Sequence, residues 1–458
     1  MRDLLVVLIF FGFLLMSFRR PYIAAMLWVW VGLMNPHRLG WGFAYSFPFA
    51  MIAAVVLVLS MAMNPKQVRL PTGGPVVVFL LLIAWMGITS IGAILFEPSI
   101  AKYIETLKVM LMTLVVASVV RTREQILGLV VLVAASIAFF GVKGGVFTIL
   151  TGGDHRVWGP PSSVIEGNNE LAVALIITVP LIYFLSTQVA LVRQLPFPVM
   201  RWFSEKWMRL GLYAIMALCL VSALGSHSRG ALLAVAAMGS MLWWRSKSKG
   251  SLGILMLMML GVGLAFMPEE WMARMHTIGS YEEDASAMGR INAWTMAINI
   301  ANHRLLGAGF ETASPLIYLQ YAPNPNFVIV AHSIYFQILG EHGYLGLGLY
   351  LCFWILTYRM AGRLVRLSAG RQDLQWAHTL GSMSKVSLAG FAVGGAFLSL
   401  AYWDMPFYLM VILLCSKRLV VDVLSQPLPA GSHSDLQSKP MDLARAKLSS
   451  GNSVARSF

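Results

Sequence analysis

An all-α, polytopic membrane protein with 12 to 13 transmembrane helices is the fold the sequence predicts, and three observations predict it. Of the 458 residues, 58% are hydrophobic and only 12% are charged, against roughly a quarter charged in an ordinary soluble domain. Apolar runs recur along most of the chain, many near the roughly 20 residues that cross a bilayer. Lys and Arg collect in alternate loops, as they do where loops are held on the cytoplasmic side.

The spans fall near residues 3–18, 21–34, 46–63, 75–96, 104–120, 124–150, 170–187, 209–224, 229–244, 252–267, 333–357, 384–400 and 402–416. The first run, LLVVLIFFGFLLMSF, is followed by RRPYIAAMLWVW and by no small-residue cleavage site, so it reads as a retained span. The first two segments are short enough to form a half-buried hairpin, and Asp404 interrupts the last pair. The loops with Arg19 and Arg20, Lys66 and Arg69, Arg121 and Arg123, Arg193 to Arg209, Arg245 to Lys249, and Arg359 to Arg371 are expected in the cytoplasm. The intervening loops then face the periplasm of a bacterial inner membrane, or the exterior. The net charge of +14 belongs to this loop pattern, and no nucleic-acid partner is expected.

Three regions follow. Residues 1–150 form an N-terminal transmembrane region; 151–424 form a second one that includes a large external loop, 268–331; 425–458 are a polar, small-residue-rich tail expected to be disordered. Cys219, Cys352 and Cys415 lie in apolar runs without CxxC spacing and read as buried small hydrophobes. The external stretch TGGDHRVWGPPSSVIEGNNE is rich in Gly, Pro, Ser and Asn and reads as irregular. In the large loop, Ile291, Trp294, Ala297 and Ile298 of GRINAWTMAINIANHRLLG recur near helical spacing, which predicts an amphipathic helix lying on the membrane.

The segment HSIYFQILGEHGYLG places His332 where the chain re-enters the bilayer from the large loop. In a continuous helix Gly343 would lie about 16 Å deeper on the same face. Gly343, Gly346 and Gly348 would let another helix approach closely. By itself His332 reads first as an interfacial, snorkelling side chain and only second as a catalytic one. Arg229, in LGSHSRGALLAV, follows a polar break on the external side, against the positive-inside trend, and reads as a snorkelling arginine or as an anion clamp. Arg290, in MGRINAW, opens the expected interfacial helix, where a helix N-terminus would add to its pull on an anion. Lys143 lies about 30 Å along a helix from Arg123 and so near the outer surface. Lys102, Lys108, Arg156 and Arg304 add further external cations. Together they point to an outward site for a polyanionic, membrane-bound ligand. Glu341 and His342, about 13–15 Å along the helix from His332, suit a packing or polar-network role.

DxD, HExxH, P-loop and GxSxG motifs are absent, and the acidic cluster Glu282, Glu283 and Asp284 reads as a solvated face. No metal and no cofactor is expected, so arginines are the candidates for stabilising a phosphate leaving group.

The pattern His, then Ser, nine residues, Gly, two residues and Gly, here His332, Ser333, Gly343 and Gly346, resembles that of the bacterial O-antigen ligase family, within the wider O-antigen ligase and polymerase superfamily. SHSRGA resembles the family's Ser-Arg-Gly segment, which places Arg229 on its arginine. GRINAW with NHRLLGAGFE looks like the loop region of its second functional arginine, here Arg290. The opening third, with MLWVWVGLMNPHRLGWGFAYSFPF, resembles exosortase-associated O-glycosylation ligases.

The resemblance implies a GT-C-type membrane glycosyltransferase that is metal-independent and inverting and needs no ATP. It implies transfer of a glycan from undecaprenyl diphosphate to lipid A–core oligosaccharide at the periplasmic face, with membrane lipids as surroundings. His332 would be the base, Arg229 and Arg290 would stabilise the departing diphosphate, and Arg156, Lys143 and Arg304 would assist in binding it. An O-antigen polymerase or a protein O-oligosaccharyltransferase would use the same donor. A lipid or glycan transporter is the alternative from another class, although transporters place polar residues near the bilayer midplane in related halves, and no repeat is evident here.

Overall fold

The computed structural model describes residues 2–195, 201–245 and 285–426, with a few positions between 248 and 261; the side chains of Arg229, Arg245 and Ala285 are outside the description. The expected acidic cluster at 282–284, most of the expected span 252–267 and the tail from 427 lie outside the described residues.

All regular structure among the described residues is helical. The elements are α1 (Arg2–Ser17), α2 (Pro21–Met34), α3 (Phe49–Met63), α4 (Gly74–Ile91), α5 (Phe96–Val119), α6 (Arg123–Leu150), α7 (Asn168–Thr187) and a single turn α8 (Val189–Val192). They continue with α9 (Glu205–Gly225), α10 (Arg229–Arg245), α11 (Ala285–His303), α12 (Pro315–Tyr321), α13 (Ile334–Leu367), α14 (Gln375–Gly394) and α15 (Asp404–Leu424). Among the described residues, five helices, α4, α6, α7, α9 and α13, are long and apolar enough to cross a membrane; α2, α3 and Gly230–Trp244 of α10 are apolar but shorter. Each expected span inside the described residues meets a helix. The boundaries differ most near the end, where helix stops at Gly394 and the chain runs irregularly to Trp403.

Local chemistry sets the helix starts. Thr122 and Gln125 form a reciprocal capping box on α6, the Ser204 hydroxyl caps α9, and Pro stands in the first turn of α2, α4 and α12. One core runs through the bundle from Phe10 to Val420, shared by helices on both sides of residue 150. At its centre α6 packs on α9 with backbones nearly touching: a Cβ on Gly145 would stand 2.4 Å from the Leu218 carbonyl oxygen. Small residues permit this approach where there is no water to drive helices together. Cys219 and Cys415 are buried, whereas Cys352 is exposed on the outward side of α13 and is not a core residue.

The loops with basic residues meet one another. Arg69 pairs with Asp422 at 2.7 Å, Arg121 donates to the Lys66 carbonyl at 2.5 Å, Arg418 donates to the Leu70 carbonyl at 3.1 Å, and Arg193 faces Glu205 at 3.8 Å. The other loops meet in a second cluster. Val157 N–H donates to the Gly225 carbonyl, Ile94 N–H to that of Ala308, and Arg304 to that of Gly92. Candidate site residues gather in this second cluster.

Two sequence expectations change here. Helix α11 does not lie free on a surface. Ala293, Met296, Ala297 and Ile300 are buried, Gly340 of α13 packs on Ala297, and Ile291 and Ile298 point outward. The buried stripe is rotated from the expected one because α11 packs against protein on the side of its small residues. Helix α13 is not continuous either: Gly343 has φ 68° and ψ −173°, a backbone conformation essentially restricted to glycine, and splits it into 334–342 and 344–367. The depth argument for an unbroken helix therefore does not hold.

Candidate active site

His332 precedes α13 with φ 43°, a left-handed conformation that costs a non-glycine residue energy. Three contacts hold it there. Its own N–H donates to the Ser399 hydroxyl at 3.0 Å. The preceding Ala331 carbonyl accepts the Trp294 indole N–H at 2.7 Å. Trp294 in turn stacks on Phe336, one turn into α13, with ring planes 13° apart and centroids 4.9 Å apart. The buried Ser333 supplies the carbonyl that accepts the first helical bond, from Gln337 N–H at 2.8 Å.

The imidazole of His332 is half-buried. Burial, and secondarily the positive charge of Arg290, hold it below its ordinary value of 6.5. Arg290 thus acts on His332 across space. It stands in the second turn of α11, which already begins at Ala285, so the expected help from a helix N-terminus is absent at this residue. Arg290 also acts on the carboxylate of Glu170 in the first turn of α7. A Cβ on Gly167 would collide with that carboxylate, so the glycine leaves room for it to fold over the helix start. Sequence reasoning missed Glu170; its place three residues after the glycine of EGNNELA was the available signal.

The SHSRGA segment forms the turn between α9 and α10. The Ser228 hydroxyl accepts from Ala231 N–H at 3.2 Å and caps α10. Asn168 at the start of α7 donates to the Ser226 carbonyl at 2.7 Å, and the His227 ring donates to the Gly153 carbonyl at 3.0 Å. The anion clamp expected at Arg229 concerns a side chain outside the described residues. Its backbone opens α10, and the next residue, Gly230, lies against Phe397, which in turn neighbours Trp294 at 6.5 Å between rings. The starts of α7, α10 and α13 and the second turn of α11 therefore converge on one place.

The remaining expected cations divide. Lys143 is exposed near the end of α6, and Arg156 is half-buried in the loop docked on the α9–α10 turn. Arg304 is held by the fold: its Nε donates to the Gly307 carbonyl at 2.9 Å and its Nη2 to the Gly92 carbonyl at 2.8 Å.

Beneath His332 the break at Gly343 is fully provided for. The carbonyl of Gly340 accepts Ala308 N–H and that of Glu341 accepts Gly309 N–H, both at 2.9 Å. The carbonyl of His342 accepts the Trp85 indole at 2.9 Å. Three consecutive carbonyls at the end of a half-helix thus receive outside donors, as a buried helix end requires. A Cβ on Gly346 would stand 2.3 Å from the His342 Cβ and 3.3 Å from the Trp85 ring nitrogen, but Gly348 has open space, so close approach in this motif is made by Gly340, Gly343 and Gly346 rather than by Gly348. Glu341 and His342 do enter a polar network, with Tyr402 and Thr89.

Comparison with known families places names beside this geometry. Residues 1–190 match a family of unknown function (DUF5935), and no curated protein matches the chain. Residues 214–351, which carry Arg229, Arg290, His332 and the motif glycines, match the O-Antigen ligase family, and that match supports a place for this chain in the O-antigen ligase superfamily.

Proposed function

We propose that this protein is an O-antigen ligase: it transfers a polysaccharide from undecaprenyl diphosphate to a sugar hydroxyl of lipid A–core oligosaccharide, at the periplasmic face of the inner membrane. The observation that carries the reading is the convergence of a constrained histidine, His332, with Arg290 and the start of α10 at one end of the bundle. The family match spans all three.

In this reading the acceptor oxygen attacks the anomeric carbon while His332 takes its proton, which a neutral imidazole can accept. The bond from that carbon to the diphosphate oxygen breaks, and its electron pair leaves with the lipid diphosphate. Arg229 and Arg290 stabilise the charge growing there, with Lys143 and Arg156 as outlying cations. In this reading Arg304 serves to hold the loop. One displacement with one base inverts the anomeric centre, and no metal takes part. Glu170 opposes Arg290 and orients it.

The test is product formation by purified protein with lipid-linked donor in one micelle, offering lipid A–core, a second lipid-linked glycan or a protein acceptor. Transfer to lipid A–core that disappears in His332→Ala is expected. Transfer only to the second glycan or only to protein would replace the ligase reading by a polymerase or a protein O-oligosaccharyltransferase, and no product with any acceptor would leave transport.

A further inference from the structure

The short helix 334–342 is fastened at both ends to one irregular segment, the chain between α14 and α15. At its start the Ser399 hydroxyl holds the N–H of His332. At its end Tyr402 meets two consecutive side chains: its hydroxyl hydrogen-bonds Glu341 Oε2 and lies 2.8 Å from His342 Nε2. His342 Nδ1 then lies 2.7 Å from the Thr89 hydroxyl, which donates to the Met86 carbonyl at 2.9 Å. Glu341 is 5% and His342 0% exposed, and the Phe310 ring packs 4.7 Å from His342 and 5.0 Å from Tyr402. The Gln337 amide, Lys102 and Glu311 are the other groups acting on the Glu341 carboxyl.

Counting hydrogens along this chain fixes its charge. Thr89 has one hydroxyl hydrogen and spends it on Met86, so it accepts from His342 Nδ1–H. Tyr402 also has one hydrogen but faces two acceptors, Glu341 Oε2 and His342 Nε2. With Glu341 ionised and His342 neutral, one of these contacts sets lone pair against lone pair, which a buried site without water does not relieve. A single additional proton removes the clash in either of two ways. Glu341 is protonated and donates to Tyr402, which donates to His342; or His342 is the cation, donates to Tyr402, and Tyr402 donates to ionised Glu341. Both arrangements hold the same number of protons and no net charge, as the interior of a membrane protein demands.

We propose that Thr89, His342, Tyr402 and Glu341 form a hydrogen-bonded chain that retains one proton at neutral pH, and that its Tyr402–Glu341 link is the positioning clamp for the short helix carrying His332. The clamp spans the strut: the helix rises about 13–14 Å between His332 and Glu341, and one segment grips both ends. Its role for His332 rests on the transferase reading above; its proton content does not.

The experiment uses purified full-length protein in micelles. Infrared difference spectra between wild type and Glu341→Gln, in light and heavy water at neutral pH, read the proton. Transfer kinetics of Glu341→Gln, Glu341→Leu and Tyr402→Phe read the positioning. A carboxylic-acid carbonyl band that shifts in heavy water and is missing from Glu341→Gln is expected, or an imidazolium band missing from His342→Gln if the proton rests there. Glu341→Gln, whose amide N–H donates to Tyr402 as the acid does, should keep transfer within about twofold. Glu341→Leu and Tyr402→Phe should lower kcat by roughly 10- to 100-fold, the scale of a small misplacement, with donor KM unchanged. Absence of both bands overturns the proton. Glu341→Gln as impaired as Glu341→Leu overturns it as well, and a fully active Glu341→Leu overturns the clamp. If His332→Ala keeps full transfer, the base reading fails while the infrared bands still decide the proton.

Discussion

Gly343 and Gly307 face one another with room for no side chain between them. A Cβ on Gly307 would stand 2.7 Å from the Gly343 nitrogen, and a Cβ on Gly343 would stand 3.3 Å from the Gly307 nitrogen and 2.4 Å from the Leu305 carbonyl oxygen. Both have positive φ. Gly343→Ala should therefore lose about 1–3 kcal/mol from backbone strain alone, and more from the collision. Gly348→Ala, with open space around it, should be neutral or gain about 0.5–1 kcal/mol as a better helix former. Thermal unfolding of the two variants in the same detergent separates them; equal melting temperatures would count against the break.

Arg304 is predicted to act on stability. Its two hydrogen bonds to the Gly307 and Gly92 carbonyls are charge-assisted, and loss of such bonds costs about 1.5–3 kcal/mol each. Arg304→Ala should lower the melting temperature and leave donor KM unchanged. A raised donor KM at unchanged stability would return Arg304 to the diphosphate.

The pH dependence of transfer should report His332. Burial and Arg290 depress its folded pKa below 6.5, so the neutral, proton-accepting form predominates at pH 6.5 and above and is lost as pH falls through the folded value. The acid limb of kcat/KM should accordingly lie below 6.5. Arg290→Gln removes the repulsion, raises that pKa and should move the limb to higher pH while weakening donor binding. A limb that stays in place would detach Arg290 from His332.

Trp294 supports His332 through the Ala331 carbonyl and the Phe336 stack. Trp294→Phe keeps a stacking ring and loses the hydrogen bond; Trp294→Ala loses both. Turnover should fall in the order wild type, Phe, Ala, by up to about 100-fold, with donor KM little changed. Steady-state kinetics showing an unaltered kcat in Trp294→Ala would remove this support.

Chelation should have no effect. With arginines stabilising the leaving diphosphate, EDTA is expected to leave the transfer rate unchanged. Inhibition reversed by a divalent ion would direct attention to Glu282, Glu283 and Asp284.

What the sequence by itself determined was the helical class, the alternation of basic loops and the residues to watch. Apolar runs and loop charge follow from the cost of placing polar groups in hydrocarbon, and that cost is written locally in composition. The His332 to Gly346 spacing and the SHSRGA turn were legible for the same reason: each is one continuous stretch. Tertiary structure alone decided what these stretches touch. Gly343 reads in sequence as a small residue on a helix face, yet it breaks the helix because Ala308, Gly309 and Trp85, distant along the chain, satisfy the carbonyls around it. Ser399 and Tyr402 carry no local motif, and they, like Glu170, matter through neighbours 60 or more residues away. Backbone groups freed inside a membrane protein must find partners wherever the fold brings them, and one stretch of sequence does not specify where that is.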